Sequence, residues 1–409
     1  MKIAYFAGSM KPGQDGVTRV LFRLSDYLRE KRIDHIFFSP SLPPESERQV
    51  PMYESPSVEF PLHNHDYRFA LPGQKHIEEV LKDYHPDILH INSPCSLGCA
   101  AIKYGQKNNI PVVATYHTHF ASYARYYRVK FLEPFSWSYF RNLYNSCQRV
   151  YVPSEPILEE LRSHRMTNLE FLPHGVDTEM FHPKHRSDSW KKELGIEGKF
   201  ALLFVGRLVW EKDLRTLAAT YNLLRSRRND VAFVLAGDGP IRHELEQLMP
   251  DAIFLGYQGG ENLSMAYASS DLFVFPSTTE TFGNVTLEAM ASGIPPVCAN
   301  KGGASGFIKD RITGLLAKPQ DAGDMAMQIE SLLDSRQRRE EMAKHAFFYG
   351  QQQTWQRSFE KMLDSYDDVI RTYAAGTLTS TEDPARAGSH NIFFNIKKRA
   401  LRLQASRHH

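Results

Sequence analysis

Short apolar runs alternate with amphipathic segments along most of the chain, and the alternation occurs twice. In the first half, strand-like runs occupy residues 3–7, 35–38, 86–91, 111–116 and 149–153. The second half repeats the pattern at 201–205, 231–235, 252–255, 272–275 and 296–298. Segments with helical periodicity separate these runs, among them 17–29, 97–107 and 322–333. Such alternation is typical of parallel sheets, so we predict an α/β protein with two Rossmann-like domains.

The length of the chain agrees with this prediction, and its net charge narrows the possible functions. The chain has 409 residues, which favours two domains, and 42% of them are hydrophobic. Its formal net charge of +2 gives no reason to expect nucleic-acid binding. No apolar run approaches the ~20 residues that span a bilayer, and the first residues are too mixed for a signal peptide. We therefore expect a soluble or peripheral protein.

The cysteines do not follow a metal-binding or disulfide pattern. They are scattered and lack clustered His or Cys neighbours, so buried reduced thiols in a cytosolic protein are expected. The four residues are Cys95, Cys99, Cys147 and Cys298. We predict neither a metal site nor a resident cofactor.

Two glutamates bracket a predicted strand-to-helix turn in the second half. Glu280 follows the apolar run 271–276, and Glu288 lies about two helical turns further on, after Gly283. A helix N-terminus presents free backbone N–H groups and a partial positive charge, which suit a diphosphate. The two carboxylates suit the hydroxyls of a sugar and of a ribose. The alternative is a pair of solvated acids on a surface helix.

A basic segment complements these acids. Gly206, Arg207 and Lys212 follow the strand-like run 201–205. Gly206 allows a close backbone approach, Arg207 can fork onto phosphate oxygens, and Lys212 adds a point charge. Alone, this segment is also typical of a surface turn, but together with Glu280 it indicates a phosphate site.

The two segments together resemble the donor site of retaining GT-B glycosyltransferases of family four. The matching patterns are Gly-Arg-Leu-x-x-Glu-Lys at 206–212 and Glu-x7-Glu at 280–288, followed by Ala-Met-Ala-Ser-Gly. The resemblance extends from the first strand-like run to the last long helical segment. It implies the GT-B architecture, in which two Rossmann-like domains face each other across a cleft. It also implies a C-terminal helix that crosses back to the N-terminal domain.

The predicted domain boundaries follow from this architecture. An acceptor-side domain spans 1–183, a nucleotide-sugar-binding domain 184–353, and a crossover helix 354–373. A linker and a basic amphipathic tail occupy 374–409. The polar stretch 183–197 is the expected connection between the two domains.

The resemblance also implies roles for residues of the cleft. The enzyme would transfer a hexose from a nucleotide-sugar with retention of the anomeric configuration and without a metal. The two glutamates would contact hydroxyls of the sugar and of the ribose. The implied catalytic residues are His117, Arg207, Lys212 and Glu280. The implied donor-binding residues are Gly16, Gly206, Arg207, Lys212, Tyr257, Glu280, Phe282, Gly283, Asn284, Val285 and Glu288.

The first glycine loop argues against another class of enzyme. Gly8, Gly13 and Gly16 have the spacing G-x4-G-x2-G rather than G-x-G-x-x-G. This spacing disfavours a nicotinamide or flavin oxidoreductase. The loop resembles the one that lies beneath the donor phosphates in GT-B enzymes, and a plain loop before a helix is the alternative.

Two histidines follow the strand-like run 111–116. His117 and His119 therefore lie at the carboxyl end of a predicted strand, where ligands bind in open α/β sheets. His117 matches the family position that faces the donor sugar near the anomeric centre, and a structural histidine is the alternative. His119 either lies on the acceptor side or shapes the loop. No third ligand is near enough in sequence to suggest a zinc site.

Aromatic and cationic residues interleave in segment 120–131. This composition favours a segment that lies at the lipid headgroup boundary of a membrane. The alternative is an amphipathic core helix with a solvated basic face. With residues 66–72, expected in an irregular insertion, the segment resembles lipid-directed family members. These are sulfoquinovosyl diacylglycerol synthases and mannosyltransferases acting on glucuronosyl diacylglycerol or phosphatidylinositol mannosides. The implied acceptor or membrane residues are Tyr67, Arg68, His119, Tyr123, Arg125, Tyr126 and Tyr127.

The end of the chain has two parts. Residues 376–390 are rich in Gly, Ser, Thr and Pro and are typical of a linker. Residues 392–403 are basic and lack acids, and one helical face carries Ile392, Ile396, Ala400 and Leu403. Membrane docking and a disordered basic end are both compatible with this pattern.

These observations predict a glycosyltransferase. We expect it to move a hexose from GDP-mannose or a UDP-hexose to a membrane lipid or glycolipid hydroxyl. It would be cytoplasmic and peripheral on the cytoplasmic face of an anionic membrane. The alternatives on the same fold are a soluble glycan or polysaccharide transferase, an epimerase, and a non-catalytic scaffold subunit. The intact set Arg207, Lys212, Glu280 and Glu288 argues against the scaffold.

Overall fold

The chain folds into two parallel sheets flanked by helices, with one sheet in each half. The computed structural model describes residues 1–13, 16–59, 68–71, 74–117 and 133–376. The strands of the first half are β1 (Lys2–Phe6), β2 (Asp34–Ser39), β3 (Met52–Glu54), β4 (Ser57–Glu59), β5 (Arg68–Ala70), β6 (Ile88–Ile91), β7 (Val112–Thr115), β8 (Arg149–Val152) and β9 (Leu169–Phe171). Its helices are α1 (Gly16–Glu30), α2 (Gln74–Tyr84), α3 (Ser96–Asn108), α4 (Glu133–Asn145) and α5 (Glu155–Ser163).

The second half repeats this alternation. A short helix, α6 (Trp190–Glu193), precedes its strands. The strands are β10 (Phe200–Val205), β11 (Val231–Ala236), β12 (Ile253–Gly256), β13 (Leu272–Phe275), β14 (Pro296–Ala299) and β15 (Leu315–Ala317). The remaining helices are α7 (Leu214–Arg227), α8 (Arg242–Leu248), α9 (Gly260–Ser269), α10 (Asn284–Ala291), α11 (Ala322–Leu333), α12 (Arg336–Gln352) and α13 (Trp355–Ala374). Short 3-10 helices occur at Glu45–Glu47, Pro183–His185, Trp210–Lys212 and Gly303–Gly306.

Both sheets have the doubly wound strand order. The first is ordered β3-β2-β1-β6-β7-β8-β9 and the second β12-β11-β10-β13-β14-β15. Neighbouring strands in both sheets run parallel. The order reverses beside β1 in one sheet and beside β10 in the other, so a crevice is expected at the carboxyl ends of these strands and their neighbours. The predicted pair of Rossmann-like domains is confirmed.

Burial on both faces explains the continuous apolar runs of the central strands. Ala4 of β1 lies opposite Ile36 of β2 and Leu89 of β6, and all three are buried. Every residue of β13 is buried as well. Because helices cover both faces of such a sheet, its strands are apolar throughout rather than alternating.

Helix α13 returns to the first half, as predicted for the crossover helix. Its apolar face includes Phe359, Met362 and Val369, which join Ile3 and Leu24 in the core beside the first sheet. A strongly amphipathic helix is stabilised mainly by burying such a face. The second half is thereby attached to the first by packing as well as by the chain itself.

Several local features differ from the sequence-based expectations, beginning with β3, β4, β9 and β15, which lie outside the predicted strand-like runs. Residues 68–70 are not irregular: they form β5, which pairs antiparallel with β4. Pairing with a separate segment supplies the backbone hydrogen bonds that the local sequence does not reveal. The polar stretch 183–197 is also more ordered than a plain linker, because α6 buries Trp190 in the core of the second half.

Two further expectations concern membranes and thiols. Across the residues that the structure describes, no helix is long and apolar enough to cross a bilayer. Cys147 and Cys298 are buried free thiols, as expected, whereas Cys95 and Cys99 are only partly buried.

Candidate functional site

The second sheet brings the two predicted donor segments together. The loop after β10 carries Arg207 and Lys212, and the loop after β13 carries Glu280. β10 and β13 are adjacent and parallel, so both loops emerge at the same crevice. The Lys212 ammonium contacts the Glu280 carboxylate directly. The structure therefore joins residues that are 68 positions apart in the sequence.

The contact between Lys212 and Glu280 is partly shielded from water. Their side chains are 23% and 17% exposed, respectively. Ser277 Oγ donates a second hydrogen bond to Glu280 Oε1 at 3.1 Å, and the ammonium lies 5.8 Å from the centre of the Phe275 ring. Held in this way, Lys212 presents a cation of fixed position to an anion that enters the crevice.

Asp213, which the sequence patterns did not single out, fixes both loops relative to each other. It is 6% exposed and has a left-handed backbone with φ +54°. Its carboxylate accepts hydrogen bonds from the Thr278 backbone N–H at 2.9 Å and hydroxyl at 2.6 Å, and from Gln320 at 2.9 Å. Because Asp213 follows Lys212 and Thr278 nearly adjoins Glu280, these bonds hold the contacting pair in register.

Helix α10 begins at the expected position beyond Glu280. Gly283 has φ +91°, and a Cβ there would lie 2.8 Å from the Cβ of Ala304. Only glycine combines this conformation with this close packing. Phe282 is 4% exposed and its ring packs on Phe307 at 4.8 Å. Phe282 can therefore offer its backbone N–H to a ligand but not its ring.

Glu288 lies on α10 in a partly buried, polar setting. Tyr267 donates a hydrogen bond to Glu288 Oε2 at 2.9 Å. Burial raises the pKa of Glu288 above its usual value, while the nearby positive charge of Arg19 opposes that rise. Arg19 belongs to α1, so a cation of the first half acts on an acid of the second. Neither Tyr267 nor Arg19 could be identified from local sequence.

The remaining predicted donor residues lie in loops or at element ends. Gly16 is the exposed first residue of α1, and Arg207 is exposed after β10. Gly206 directly follows β10 and donates its N–H to Ala236 O at 3.0 Å. Tyr257 follows β12 and is 72% exposed. Their roles in donor binding stay predictions.

The first half contributes histidines that carry no charge at neutral pH. His117 follows β7, and its Nε2 lies 3.0 Å from Asn92 Oδ1. Burial, reinforced by His174 and His90, lowers the pKa of His117 well below its usual value. Burial also lowers the pKa of His174 to about 4 and that of His90 to about 3. All three line a cavity of about 30 Å³ against α1 and α13.

Hydrogen bonds join the two halves beside α10. Thr281 donates from its hydroxyl to the His117 carbonyl at 2.7 Å, and Ser154 donates to the Thr281 carbonyl at 2.6 Å. His174 Nδ1 lies 3.0 Å from Asn284 Oδ1. His117, which the resemblance places near the donor sugar, is therefore in direct contact with Thr281 of the predicted donor loop.

Most of the predicted membrane residues lie outside the described residues. Arg68 is the exception: it is exposed and donates to Ser57 Oγ at 2.7 Å. Within the described ranges, no group of three His, Cys, Asp or Glu side chains could hold a metal ion. Outside the description lie Tyr67, His119, Tyr123, Arg125, Tyr126 and Tyr127.

Two family models match this chain, one in each half. The model described as Glycosyltransferase Family 4 matches residues 14–180, and the model described as Glycosyl transferases group 1 matches 186–347. A GDP-mannose-dependent alpha-mannosyltransferase of Corynebacterium glutamicum is 34% identical over 90% of this chain and 89% of its own length. The protein of the same description from Mycolicibacterium smegmatis is 30% identical over 90% and 98%.

A plant protein and a solved structure are also similar. The sulfoquinovosyl transferase SQD2 of Arabidopsis thaliana is 36% identical over 70% of this chain and 57% of its own length. A crystal structure of Anabaena HepE in complex with UDP superimposes with a TM-score of 0.74. The superposition covers 90% of this chain and all of the HepE chain. The sequence identity is 18%, so this likeness supports the fold alone.

Proposed function

Because this chain belongs to glycosyltransferase family 4, we propose that it transfers a hexose from a nucleotide-sugar to a lipid or glycolipid hydroxyl with retention. The observation that carries the proposal is the Lys212–Glu280 contact at the crevice beside the start of α10. A cation, a helix N-terminus and a carboxylate there match the diphosphate and the sugar of one donor molecule.

The second half would stabilise the leaving group. Negative charge develops on the nucleoside diphosphate as its bond to the anomeric carbon breaks. Arg207, Lys212 and the backbone N–H groups of 282–285 would receive that charge, and such groups usually supply the largest part of the rate enhancement. Glu280 would accept hydrogen bonds from sugar hydroxyls, and Glu288 from the ribose.

The first half would hold the sugar and the acceptor. Since the amide oxygen of Asn92 accepts only, His117 Nε2 carries the hydrogen in the observed arrangement. Its Nδ1 is then an acceptor that suits a sugar hydroxyl. A neutral imidazole also avoids competing with Lys212 for the diphosphate.

The similar proteins guide the choice of donor and acceptor. Two of them are described as GDP-mannose-dependent and one as a sulfoquinovosyl transferase, while another, from Streptococcus pneumoniae, is an alpha-monoglucosyldiacylglycerol synthase. GDP-mannose is therefore the first donor to test, with UDP-hexoses next. The acceptor is a membrane lipid or glycolipid, and the enzyme would work as a peripheral protein on an anionic membrane face.

Thermal-shift binding against GDP- and UDP-sugars and their free diphosphates tests the donor site. Stabilisation by one nucleotide class would support the proposal and name the base. No stabilisation by any of them would contradict it. Turnover that survives removal of divalent cations with EDTA would support a metal-independent reaction.

A transfer assay with diacylglycerol-based lipids and with free sugars then separates the lipid acceptor from a soluble glycan. Activity on free sugars alone would favour the soluble alternative.

Deletion of residues 377–409 tests the membrane part separately. Binding to vesicles that contain anionic lipid should weaken if the basic tail docks there. Unchanged vesicle binding would refute docking by the tail without affecting the donor-site proposal. Transfer to a detergent-solubilised acceptor should stay close to that of the full chain.

A further inference from the structure

His174 lies where the two halves of the molecule meet the crossover helix. Its ring centre is 5.0 Å from that of Phe282, 5.4 Å from that of Trp355 and 6.0 Å from that of His117. The residue follows β9, and no sequence motif pointed to it. The reaction proposed above gives it no direct contact with the substrate.

The backbone around His174 is attached to the start of α13. Val176 donates its N–H to the Gln353 carbonyl at 2.8 Å. Gly175 packs so closely that a Cβ would lie 2.1 Å from the backbone nitrogen of Trp355. No larger residue fits at this approach without a shift of the main chain. His174 is therefore fixed to the crossover helix and is not part of an independent loop.

The side chain of His174 reaches the donor half. Its Nδ1 lies 3.0 Å from the side-chain oxygen of Asn284, the first residue of α10. An amide oxygen only accepts, so the imidazole donates through Nδ1–H. Burial lowers the pKa of His174 to about 4, so at neutral pH this donor carries no charge. It can orient the helix start without attracting the diphosphate itself.

We propose that His174 is a positioning residue that fixes the N-terminal turn of α10 relative to the crossover helix. Through Asn284 it holds the backbone N–H groups of that turn in the orientation that leaving-group stabilisation requires. This inference rests on the proposed nucleotide-sugar site. The inference adds a link from the first half to the backbone N–H groups at the start of α10. These groups must be aligned to within a fraction of an ångström for efficient transfer.

Neighbouring contacts provide matched variants. The hydrogen bond from Ser154 to the Thr281 carbonyl also joins the two halves, but it does not involve α10. Ser154→Ala therefore controls for the general loss of a bond between the halves. His174→Leu removes the donor, whereas His174→Asn retains an N–H at the same distance along the side chain as Nδ1.

Hydrogen exchange of the peptide spanning 284–291, measured on the full chain without ligand, is the first test. His174→Leu should exchange faster there than the wild type, while His174→Asn and Ser154→Ala should stay close to it. Unchanged exchange in His174→Leu would overturn the inference. This readout does not depend on the donor, so it remains decisive even if the nucleotide-sugar proposal is wrong.

Steady-state kinetics with the donor identified by thermal shift is the second test. His174→Leu should lower kcat about tenfold with little change in donor KM, the scale of one hydrogen bond realised in the transition state. His174→Asn should recover most of this loss. Combining His174→Leu with Asn284→Ala should add less than the product of the two single effects. Wild-type kcat in His174→Leu, or fully independent effects, would overturn the inference.

A wild type that binds and turns over no nucleotide-sugar would refute the proposed function instead. The exchange experiment alone would then decide the role of His174.

Discussion

The two sides of the proposed site handle charge in opposite ways. We call Lys212, Asp213, Glu280 and Glu288 the donor wall, and His90, His117 and His174 the imidazole wall. In the donor wall, charged groups contact partners from their own half: Lys212 contacts Glu280, and Asp213 accepts three hydrogen bonds. In the imidazole wall, burial lowers the pKa of each histidine and removes its charge at neutral pH.

This difference indicates a division of labour. A diphosphate needs cations and N–H donors that are already in place, because reorganising them during the reaction would cost free energy. A sugar or acceptor hydroxyl needs only neutral hydrogen-bond partners. A protonated histidine in the same crevice would compete with Lys212 for the diphosphate. Removing charge from the donor wall, or adding charge to the imidazole wall, tests this division of labour.

The largest effect is expected from Lys212→Ala. Removal of a cation that stabilises the leaving group should lower kcat by about a hundredfold to a thousandfold. Arg225→Ala is the matched control, since this exposed cation lies on α7 about 16 Å along the helix axis from its start. Steady-state turnover of the donor measures both. A kcat of Lys212→Ala near the wild-type value would refute the donor wall as the site of leaving-group stabilisation.

A smaller loss is expected from His117→Ala. Losing a neutral hydrogen-bond partner of the sugar should lower kcat about tenfold. His243→Ala serves as control because His243 is 84% exposed and lies on α8. If His117→Ala were as damaging as Lys212→Ala, the imidazole wall would have a larger catalytic role than a neutral surface can explain.

The Glu288→Gln variant should lose affinity for the nucleotide without losing stability. The carboxylate is held in a setting that raises its pKa, so replacing it with an amide should leave the ligand-free unfolding temperature unchanged or slightly higher. Affinity for the nucleoside diphosphate should nevertheless fall by up to about tenfold, because a charged acceptor for the ribose is lost. Thermal unfolding with and without nucleotide measures both quantities, with exposed Glu244→Gln as control. Unchanged affinity would remove Glu288 from the donor wall.

The last prediction concerns stability in acid rather than turnover at neutral pH. A histidine whose pKa is lowered on folding stabilises the native state above its unfolded pKa and loses that contribution as pH falls. For His174 the window runs from 6.5 down to about 4, and His117 and His90 act in the same direction. Glu288, whose pKa is raised, opposes the trend. The unfolding temperature should therefore decline across this window, and it should decline less in His174→Asn, which does not titrate. An unfolding temperature that stays constant across this pH window would contradict a neutral imidazole wall.

The sequence predicted the fold well because its main signals are local. Buried parallel strands are apolar along their whole length, and the helices between them have a visible period, so the type and order of the central elements could be predicted. The short strands β3, β4, β9 and β15 were missed. The donor motifs were also local: each combines a strand end with a glycine and a charged residue. Adjacent strands then brought Lys212 and Glu280 together.

The missed residues act through contacts that no local pattern encodes. His174 meets Asn284 across 110 positions, and Asp213 meets Thr278 across 65. The charge of Arg19 reaches Glu288 from the other half. Strand β5 likewise depends on pairing with β4. In the sequence alone, each of these residues resembles an ordinary polar or loop residue, because its partner is distant along the chain.

The central claim is best tested by following both products of one reaction. The wild type is incubated with GDP-mannose, or with the UDP-hexose selected by thermal shift, and vesicles that contain diacylglycerol-based acceptors. We predict that nucleoside diphosphate and glycosylated lipid form in equal amounts and that the new glycosidic bond keeps the anomeric configuration of the donor. Inverted configuration, or nucleotide release without a glycosylated product for any donor and acceptor, would contradict the account.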